Sequence, residues 1–235
     1  MNRVVEKDEE KSIQDINYED AITYWNHIPP TVNGMLGGFG FISSTDLQGS
    51  EMFLKNLFQL KNPPDHGTAV DCGAGIGRIT KHLLMHHFKK VDLVEPVKPF
   101  IDEARNYIQN DEKIGVYHNI GLQDFNPCVK YDLIWCQWVL SHLTNQDLIK
   151  FFKTCRDSLN PNGVIVVKEN LSSNQEGDID EQDSSRTRHE KELKQLFTDG
   201  GLKVIKEAVQ KKFPKGLYCV KMFALRPDSS TVLQT

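Results

Sequence analysis

The sequence predicts an α/β fold with seven strands in a mostly parallel sheet. Three observations predict it: short β-type runs alternate with segments of helical periodicity, a glycine-rich turn directly follows the first run, and an acidic residue ends the second run. Alternation of this kind builds parallel strands that are joined by right-handed crossovers. Two last strands lie close together in the chain and predict an antiparallel hairpin at the C-terminal end.

An N-terminal helical extension precedes the sheet. Apolar residues at three-to-four spacing predict a helix over 18–25, which ends at Pro29-Pro30. The stretch 31–42 is rich in glycine and precedes no strand-like run, so we expect a lid or docking loop rather than a phosphate cradle. A helix over about 46–60 then leads into the sheet.

The sheet itself begins at residue 68. Strands are predicted over 68–72, 90–95, 114–119, 131–136, 163–168, 202–210 and 216–225, and helices over 77–88, 98–109, 146–158 and 194–200. We expect one domain over 18–226, with its helical extension and lid at 18–60. A flexible polar arm is expected at 1–17 and a disordered polar tail at 227–235.

Composition excludes several classes of protein. The formal net charge is −4 with acids and bases interspersed, which disfavours a nucleic-acid-binding protein. We expect neither a membrane span nor secretion, because the sequence lacks an apolar run of ~18 residues and a signal-peptide core. The five cysteines form no C-x-x-C pair and are expected to be mostly core thiols in a reducing compartment. No metal site is expected, since His86-His87 has no further ligand nearby.

The glycine-rich turn gives the first indication of a ligand. It reads Asp71-Cys-Gly-Ala-Gly-Ile-Gly-Arg78, which has the spacing G-x-G-x-G. Glycine lets backbone N–H groups approach a ligand closely, and a dinucleotide fingerprint would need a glycine where Arg78 stands. With an acid two positions before it, the spacing favours S-adenosylmethionine over NAD. A ligand-free turn between a strand and a helix is the alternative.

Side chains at the neighbouring strand ends complete a possible cofactor site, because ligands of such sheets bind outside the carboxyl ends of the strands. Glu95 ends the second strand and can accept hydrogen bonds from ribose hydroxyls, and Arg78 can pair with a cofactor carboxylate. Gln123 follows the third strand, near the expected adenine edge, and Gln137 follows the fourth. The alternative is that these are solvated loop or surface side chains.

Further motifs extend the pattern: Trp25, Ile28-Pro-Pro-Thr-Val-Asn-Gly-Met-Leu-Gly-Gly-Phe-Gly, Gly121-Leu-Gln-Asp-Phe, Gln137-Trp-Val-Leu-Ser-His-Leu-Thr and Lys168-Glu-Asn. With the glycine-rich turn, they resemble the eukaryotic protein α-N-terminal methyltransferases over roughly residues 18–226. Members of that family methylate the N-terminal amine of proteins that begin Xaa-Pro-Lys or Xaa-Pro-Arg after removal of the initiator methionine. The chain departs from the family pattern at Glu95, where the family also uses aspartate, and in a polar run at 172–182.

The resemblance implies the class I methyltransferase (Rossmann-like) fold and S-adenosylmethionine as cofactor, with S-adenosylhomocysteine as product. The residues that it places against the cofactor are Gly73, Gly75, Arg78, Glu95, Pro96, Val97, Leu122, Gln123 and Gln137. Those that it places against the substrate peptide are Trp25, Leu36, Ile42, Trp138, Asn170, Asp180, Asp183, Ser185 and Tyr218. Asp183, His142 and Asn170 are expected to be catalytic, with Asp183 taking the proton from the amine and His142 assisting or relaying it.

We therefore expect an enzyme that methylates Xaa-Pro-Lys/Arg N-termini, a primary amine up to three times and an N-terminal proline twice. The acidic run over 176–183 suits a lysine or arginine at the third position, although a solvated acidic loop is the alternative. Two other functions stay open: a small-molecule amine or carboxyl methyltransferase, and a non-catalytic module that binds Pro-Lys termini. The resemblance further implies ribosomal proteins among the substrates, a monomer, and a cytoplasmic location with nuclear access, with neither nucleic acid nor membrane as a partner.

Overall fold

The structure, a computed structural model, describes residues 16–109 and 111–228. Most of the predicted flexible arm, up to residue 15, and most of the predicted tail, from 229 onward, lie outside these residues. Asn17, which the prediction places in the arm, caps the first helix, and Pro227, placed in the tail, ends the last strand. The folded elements therefore extend slightly beyond 18–226 at both ends.

From residue 16 onward, three helices precede the sheet: α1 (Tyr18–Asn26), α2 (Val32–Met35) and α3 (Ser43–Leu57). The side chain of Asn17 accepts hydrogen bonds from two N–H groups of the first turn of α1, and Thr31 accepts one from Gly34 in α2. The segment over 31–42, predicted as a loop, is thus folded into α2 and a 3₁₀ turn at Gly40–Ile42. We call it the lid segment.

The described residues form nine strands: β1 (Thr68–Cys72), β2 (Lys90–Val94), β3 (Ile114–His118), β4 (Tyr131–Gln137), β5 (Leu159–Leu171), β6 (Asp178–Asp180), β7 (Ser185–Thr187), β8 (Leu202–Val209) and β9 (Cys219–Pro227). Seven of them make one sheet in the order β3-β2-β1-β4-β5-β9-β8. Pairs among β1 to β5 are parallel, and β9 runs antiparallel to both β5 and β8. The predicted mostly parallel sheet with an antiparallel C-terminal strand is confirmed.

Four further helices alternate with the strands: α4 (Thr80–Leu84 as a π-helical segment, then Met85–His87), α5 (Lys98–Ile108), α6 (Asn145–Asp157) and α7 (Glu190–Asp199). Successive residues of β4 belong to different hydrophobic clusters, Leu133 and Trp135 to one and Ile134 and Cys136 to the other. Since side chains alternate across a strand, the sheet is buried on both faces. Among the described helices, none has the length and apolar composition that crossing a bilayer requires.

The β6–β7 hairpin is an element that the sequence prediction lacked. Its two strands pair antiparallel within the polar stretch that follows β5, where no apolar alternation indicates a strand. The guanidinium of Arg186 in β7 pairs with both carboxylate oxygens of Glu192 in α7, at 2.8 and 3.0 Å. This side-chain pairing ties the hairpin to α7, and the N–H of Asn17 adds a hydrogen bond to the hydroxyl of Ser184 in the hairpin loop.

The cysteines follow the prediction only in part. Cys72, Cys136 and Cys155 are buried thiols, as expected, whereas Cys128 and Cys219 are exposed. Within 16–109 and 111–228, no group of three or more His, Cys, Asp or Glu side chains is arranged to hold a metal ion.

Candidate active site

Two adjoining cavities lie at the carboxyl ends of the parallel strands. We call the first the glycine-loop cavity, because the turn after β1 and the ends of β2 and β4 line it. We call the second the hairpin channel, because the β6–β7 hairpin, the lid segment and the β8–β9 loop line it. The residues that line both, and so separate them, are Trp25, Met35, Trp138 and His142.

The glycine-loop cavity is lined by every residue predicted to contact the cofactor: Gly73, Gly75, Arg78, Glu95, Pro96, Val97, Leu122, Gln123 and Gln137. Gly73 and Gly75 have φ angles of +73° and +54°, in the left-handed region that residues with a Cβ rarely adopt. A Cβ on Gly75 would also lie 2.6 Å from the sulfur of Met35 in α2. Glycine is therefore required here by the backbone, whereas the flexible Met35 side chain would have to shift to make room for a Cβ.

Two buried carboxylates shape this cavity. Glu95 accepts hydrogen bonds from the N–H groups of Gly75 and Val97, at 2.9 and 2.8 Å, and burial raises its pKa to about 7. Asp71 accepts hydrogen bonds from the N–H and the hydroxyl of Thr80, at 3.0 and 2.7 Å, and burial raises its pKa to about 6. Asp71 thereby fixes the start of α4 against β1, and Glu95 fixes the glycine-rich turn against the end of β2.

Arg78 is held by a buried network that the sequence did not reveal. Its Nη1 lies 2.8 Å from Oδ2 of Asp46 in α3, and Nζ of Lys168 in β5 lies 2.5 Å from Oδ1 of the same carboxylate. Nε2 of Gln137 donates to both oxygens of Asp46 at 3.0 Å. Asp46 and Lys168 are both 0% exposed. Because two cations share one carboxylate, the network leaves positive charge beside the glycine-loop cavity, which suits an anionic ligand group.

The donor and acceptor set of the glycine-loop cavity fits S-adenosylmethionine. The Glu95 carboxylate has lone pairs beyond those used by Gly75 and Val97 and can accept hydrogen bonds from a ribose diol. Buried Leu122 and Val97 offer apolar surface to a flat base. The positive charge at Arg78 can attract the carboxylate of the methionine moiety.

The hairpin channel is lined by every residue predicted to contact the peptide: Trp25, Leu36, Ile42, Trp138, Asn170, Asp180, Asp183, Ser185 and Tyr218. It also contains all three predicted catalytic residues. His142 ends a 3₁₀ turn (Leu140–His142) after β4, Asn170 lies in β5, and Asp183 lies in the loop between β6 and β7. The fold thus brings these residues together, while their individual roles stay predictions.

His142 and Asp183 line the channel and carry buried polar atoms. The indole N–H of Trp25 donates to Nε2 of His142 at 3.2 Å, so in the neutral ring Nδ1 carries the proton. Burial lowers the pKa of His142 and outweighs the opposing effect of the Asp183 charge, which keeps the ring neutral at pH 7. In the described part of the chain, Nδ1 of His142 and Oδ1 of Asp183 are buried without a hydrogen-bond partner. The backbone of Asp183 and Ser184 also acts on the pKa of His142, so the ring packs against the loop between β6 and β7.

Trp138 and the acidic hairpin define the shape and charge of the channel. The Trp138 ring lies 6.5 Å, centroid to centroid, from the ring of Phe213 and offers a flat apolar surface. Asp178 and Asp180 of β6 line the channel together with Asp183. These carboxylates give the channel a negative potential that favours a cationic ligand.

Comparison with known proteins agrees with this geometry. A family model described as AdoMet dependent proline di-methyltransferase matches residues 13–226. The Homo sapiens protein named N-terminal Xaa-Pro-Lys N-methyltransferase 1 is 46% identical over 214 residues, which cover 89% of this chain and 95% of the human protein. The Drosophila melanogaster protein named Alpha N-terminal protein methyltransferase 1 is 44% identical over 216 residues, with 90% and 77% covered.

Solved structures show the same architecture. A SAM-dependent methyltransferase from Leishmania major superposes with a TM-score of 0.84 at 40% identity, covering 89% of this chain and 82% of that one. The magnesium protoporphyrin IX methyltransferase of Synechocystis superposes with a TM-score of 0.59 at 13% identity, covering 87% of this chain and 90% of that one, which is a likeness of fold alone. The predicted class I fold is confirmed.

Proposed function

Because the chain belongs to the family of AdoMet-dependent proline di-methyltransferases, we propose that it methylates the α-amino group of protein N-termini that begin Xaa-Pro-Lys. Family membership confirms the predicted enzyme class and the predicted cofactor, S-adenosylmethionine. The observation that carries the proposal is the wall that the two cavities share, formed by Trp25, Met35, Trp138 and His142. It sets a cavity suited to the cofactor directly beside an acidic channel suited to an amine.

The glycine-loop cavity is the proposed cofactor site. Glu95 receives the ribose hydroxyls, Arg78 attracts the carboxylate, and Leu122, Val97 and Gln123 hold the adenine. The backbone at Gly73 and Gly75 allows the close approach, with Pro96 and Gln137 completing the lining. S-adenosylmethionine, when bound, supplies an electrophilic methyl group on a sulfonium sulfur.

The acceptor amine must lose its proton before it can react. An α-amine with a pKa near 8 needs about 1.4 kcal/mol to become neutral at pH 7, whereas a lysine amine near 10.4 needs about 4.6 kcal/mol. A modest base therefore suffices, and Asp183, whose Oδ1 has no hydrogen-bond partner among the described residues, takes the proton. His142 assists by donating a hydrogen bond through Nδ1, since Trp25 already occupies Nε2.

The remaining channel residues set the choice of peptide. Trp138 offers a flat surface to a proline ring, and the carboxylates of Asp178 and Asp180 attract a lysine or arginine at the third position. Asn170, Ser185 and Tyr218 supply polar groups for the peptide backbone, and Leu36 and Ile42 of the lid segment cover it. Because each methyl transfer needs only a fresh loss of a proton, a primary amine reaches the trimethylated state and an N-terminal proline the dimethylated state.

The two other functions have less support. A small-molecule methyltransferase would need a closed apolar pocket, and the hairpin channel is instead lined by Asp178, Asp180 and Asp183. A non-catalytic binding module would not need an acid at Glu95 or the polar pair His142 and Asp183, which line the two cavities.

Ribosomal proteins among the substrates, a monomer, and a cytoplasmic location with nuclear access are part of this proposal. The family resemblance supports the substrates and the location. Mass measurement of the native protein in solution tests the oligomeric state directly.

Mass spectrometry of a peptide that begins Xaa-Pro-Lys, incubated with protein and S-adenosylmethionine, tests the proposed function. We expect methylation at the N-terminal amine. A matched peptide with an acetylated N-terminus should stay unmodified, and a peptide with alanine in place of proline should react more slowly. Methylation of the acetylated peptide would identify the lysine side chain as acceptor and overturn the proposal.

A further inference from the structure

The turn after β4, residues 138–143, carries two of the residues that separate the cavities, Trp138 and His142. Trp138 has a φ angle of +53°, in the left-handed region. For a residue with a Cβ this conformation costs roughly 1–2 kcal/mol, and it persists only where surrounding contacts fix it. The contacts that fix this turn are therefore of interest for the reaction.

β5 binds the N–H groups at the start of the turn. The N–H of Trp138 donates to the carbonyl oxygen of Lys168 at 3.0 Å. The N–H groups of Val139 and Leu140 both donate to Oε1 of Glu169, each at 2.9 Å. Three consecutive N–H groups are thus held by two neighbouring residues of one strand, and the Glu169 side chain is almost fully buried in doing so.

Arg188, which follows β7, binds the carbonyl groups of the same turn. Its Nη1 donates to the carbonyl oxygen of Leu140 at 2.8 Å, and Nη2 donates to that of Leu143. Its Nε donates at 2.8 Å to the side chain of Asn145, in the first turn of α6. Glu169 therefore binds N–H groups of the turn, and Arg188 binds its carbonyl groups.

Burying the Arg188 guanidinium, together with the Glu169 carboxyl, whose pKa burial raises to about 7, costs free energy that a purely structural role does not explain. The penalty in a folded protein is several kcal/mol for each buried ion, and well-packed apolar residues often stabilise a fold equally well. Glu169 and Arg188 are only 5% and 4% exposed. Their hydrogen bonds go to the turn, whose strained first residue borders both cavities.

We propose that Glu169 and Arg188 are positioning residues for methyl transfer, holding the 138–143 turn so that Trp138 and His142 keep their places between cofactor and amine. The inference rests on the proposed function, in which the turn holds Trp138 and His142 between the cofactor and the amine. Both side chains also lie in the wall of the hairpin channel, and the role assigned to them here is exerted through their hydrogen bonds to the turn. Removing either should loosen the turn, and a misplacement of about 1 Å in such a site costs up to about a hundredfold in rate.

Kinetics of four variants test this inference. We expect Glu169→Ala and Arg188→Met to lower kcat on an Xaa-Pro-Lys peptide by about ten- to hundredfold. The Kd of S-adenosylhomocysteine, measured by calorimetry, should change far less. The turn forms one side of the glycine-loop cavity, and the residues after β1 and β2 form the others. Glu169→Gln keeps the accepting oxygen and should recover most of kcat, and Arg188→Lys, with a single point donor, should recover little. Arg156→Met is the matched control, since Arg156 pairs with Asp157 on α6, and it should leave kcat unchanged.

Hydrogen exchange gives a readout that does not depend on activity. In Glu169→Ala, the amides of Val139 and Leu140 should exchange faster than in the unchanged protein, and in Glu169→Gln they should stay protected. Unchanged exchange in Glu169→Ala, or a kcat within about twofold in the folded variants, overturns the inference. If the unchanged protein leaves the peptide unmethylated, the proposed function fails by itself, and the exchange experiment still decides whether Glu169 holds the turn.

Discussion

Glu95 couples cofactor binding to pH in the proposed site. Burial raises its pKa to about 7, although hydrogen bonds from the N–H groups of Val97 and Gly75 oppose the shift. Ribose hydroxyls that donate to the carboxylate favour its charged form and so lower the pKa in the complex. Binding therefore releases a proton from molecules in which Glu95 is protonated.

We expect the affinity for S-adenosylhomocysteine to rise between pH 6 and pH 8, by roughly three- to tenfold, because one carboxyl proton is released on binding. A Glu95→Gln variant should bind more weakly at pH 8 and show little pH dependence. Calorimetric titration in buffers of different ionisation enthalpy measures both the affinity and the proton release. An affinity that stays level or falls over this range would contradict the assignment of Glu95.

Asp183 is the residue at which the proposed chemistry is most directly tested. Asp183→Asn keeps the size and a hydrogen-bond acceptor but removes the base, so kcat should fall by about a hundredfold or more while S-adenosylhomocysteine affinity stays the same. His142→Gln should lower kcat less, because His142 only assists. Steady-state rates on one Xaa-Pro-Lys peptide, with calorimetry of each variant, measure the effect. A turnover rate that Asp183→Asn leaves intact refutes Asp183 as the base.

At the scale of elements, α3 is joined to the sheet through charge as well as through apolar packing. Asp46 brings a carboxylate from α3 between Arg78 and Lys168, and all three side chains are buried. Lys168 also donates to the hydroxyl of Ser50, one turn further along α3, at 2.9 Å. Removing the carboxylate alone would leave two buried cations without a counter-ion.

Asp46→Asn should therefore lower the free energy of unfolding by about 3–5 kcal/mol. Adding Lys168→Met in the same chain should recover a large part of that loss, because it removes one of the uncompensated charges. Denaturant unfolding of the single and double variants measures the coupling. A loss below about 1 kcal/mol in Asp46→Asn would show that the network contributes little to holding α3.

The elements differ in how well the sequence predicts them. The strands of the main sheet were predicted to within a few residues in most cases, because buried apolar runs bounded by turn residues are a local signal. The lid segment and the β6–β7 hairpin were not, because side-chain caps at Thr31 and Asn33 fold the first and the Arg186–Glu192 pair fixes the second. These interactions depend on position in the fold and leave little trace in composition.

The same distinction applies to the site. The glycine-rich turn and Glu95 have a recognisable spacing, and the family resemblance supplied the channel residues. Asp46, Glu169 and Arg188 were not predicted, because each acts through a partner that is distant in the chain. Lys168 and Glu169 appeared in a motif, but no spacing revealed which groups they would bind.

At the scale of the whole molecule, the site lies where the strand order reverses. β1 has β2 on one side and β4 on the other, so the chain leaves β1 toward one edge of the sheet and later returns to build the other. The loops that follow β1 and β4 therefore diverge and leave a crevice between them, which is where ligands of open α/β sheets bind. The glycine-loop cavity is lined by the residues after these two strands.

Ligand binding at this crevice should stabilise the whole fold. S-adenosylhomocysteine at a hundred times its Kd adds about 2.7 kcal/mol to the free energy of unfolding, which corresponds to a rise in Tm of about 5–10 °C for a chain of this size. NAD at the same concentration should leave Tm unchanged, because Arg78 stands where a dinucleotide loop needs glycine. Thermal scans measure the Tm with each ligand. A rise in Tm with NAD comparable to that with S-adenosylhomocysteine would argue against the cofactor assignment.

At Trp138 the backbone is strained, while the side chain lines the proposed peptide site, so one residue affects both thermal stability and activity. A substitution that tolerates positive φ, such as Trp138→Asn or Trp138→Gly, relieves the strain but removes the flat surface offered to proline. The gain from relieving the strain, roughly 1–2 kcal/mol, competes with the loss of the packing of the half-buried indole near Phe213. A laboratory-evolved, heat-resistant descendant that has changed this residue should therefore be screened for turnover as well as for melting temperature.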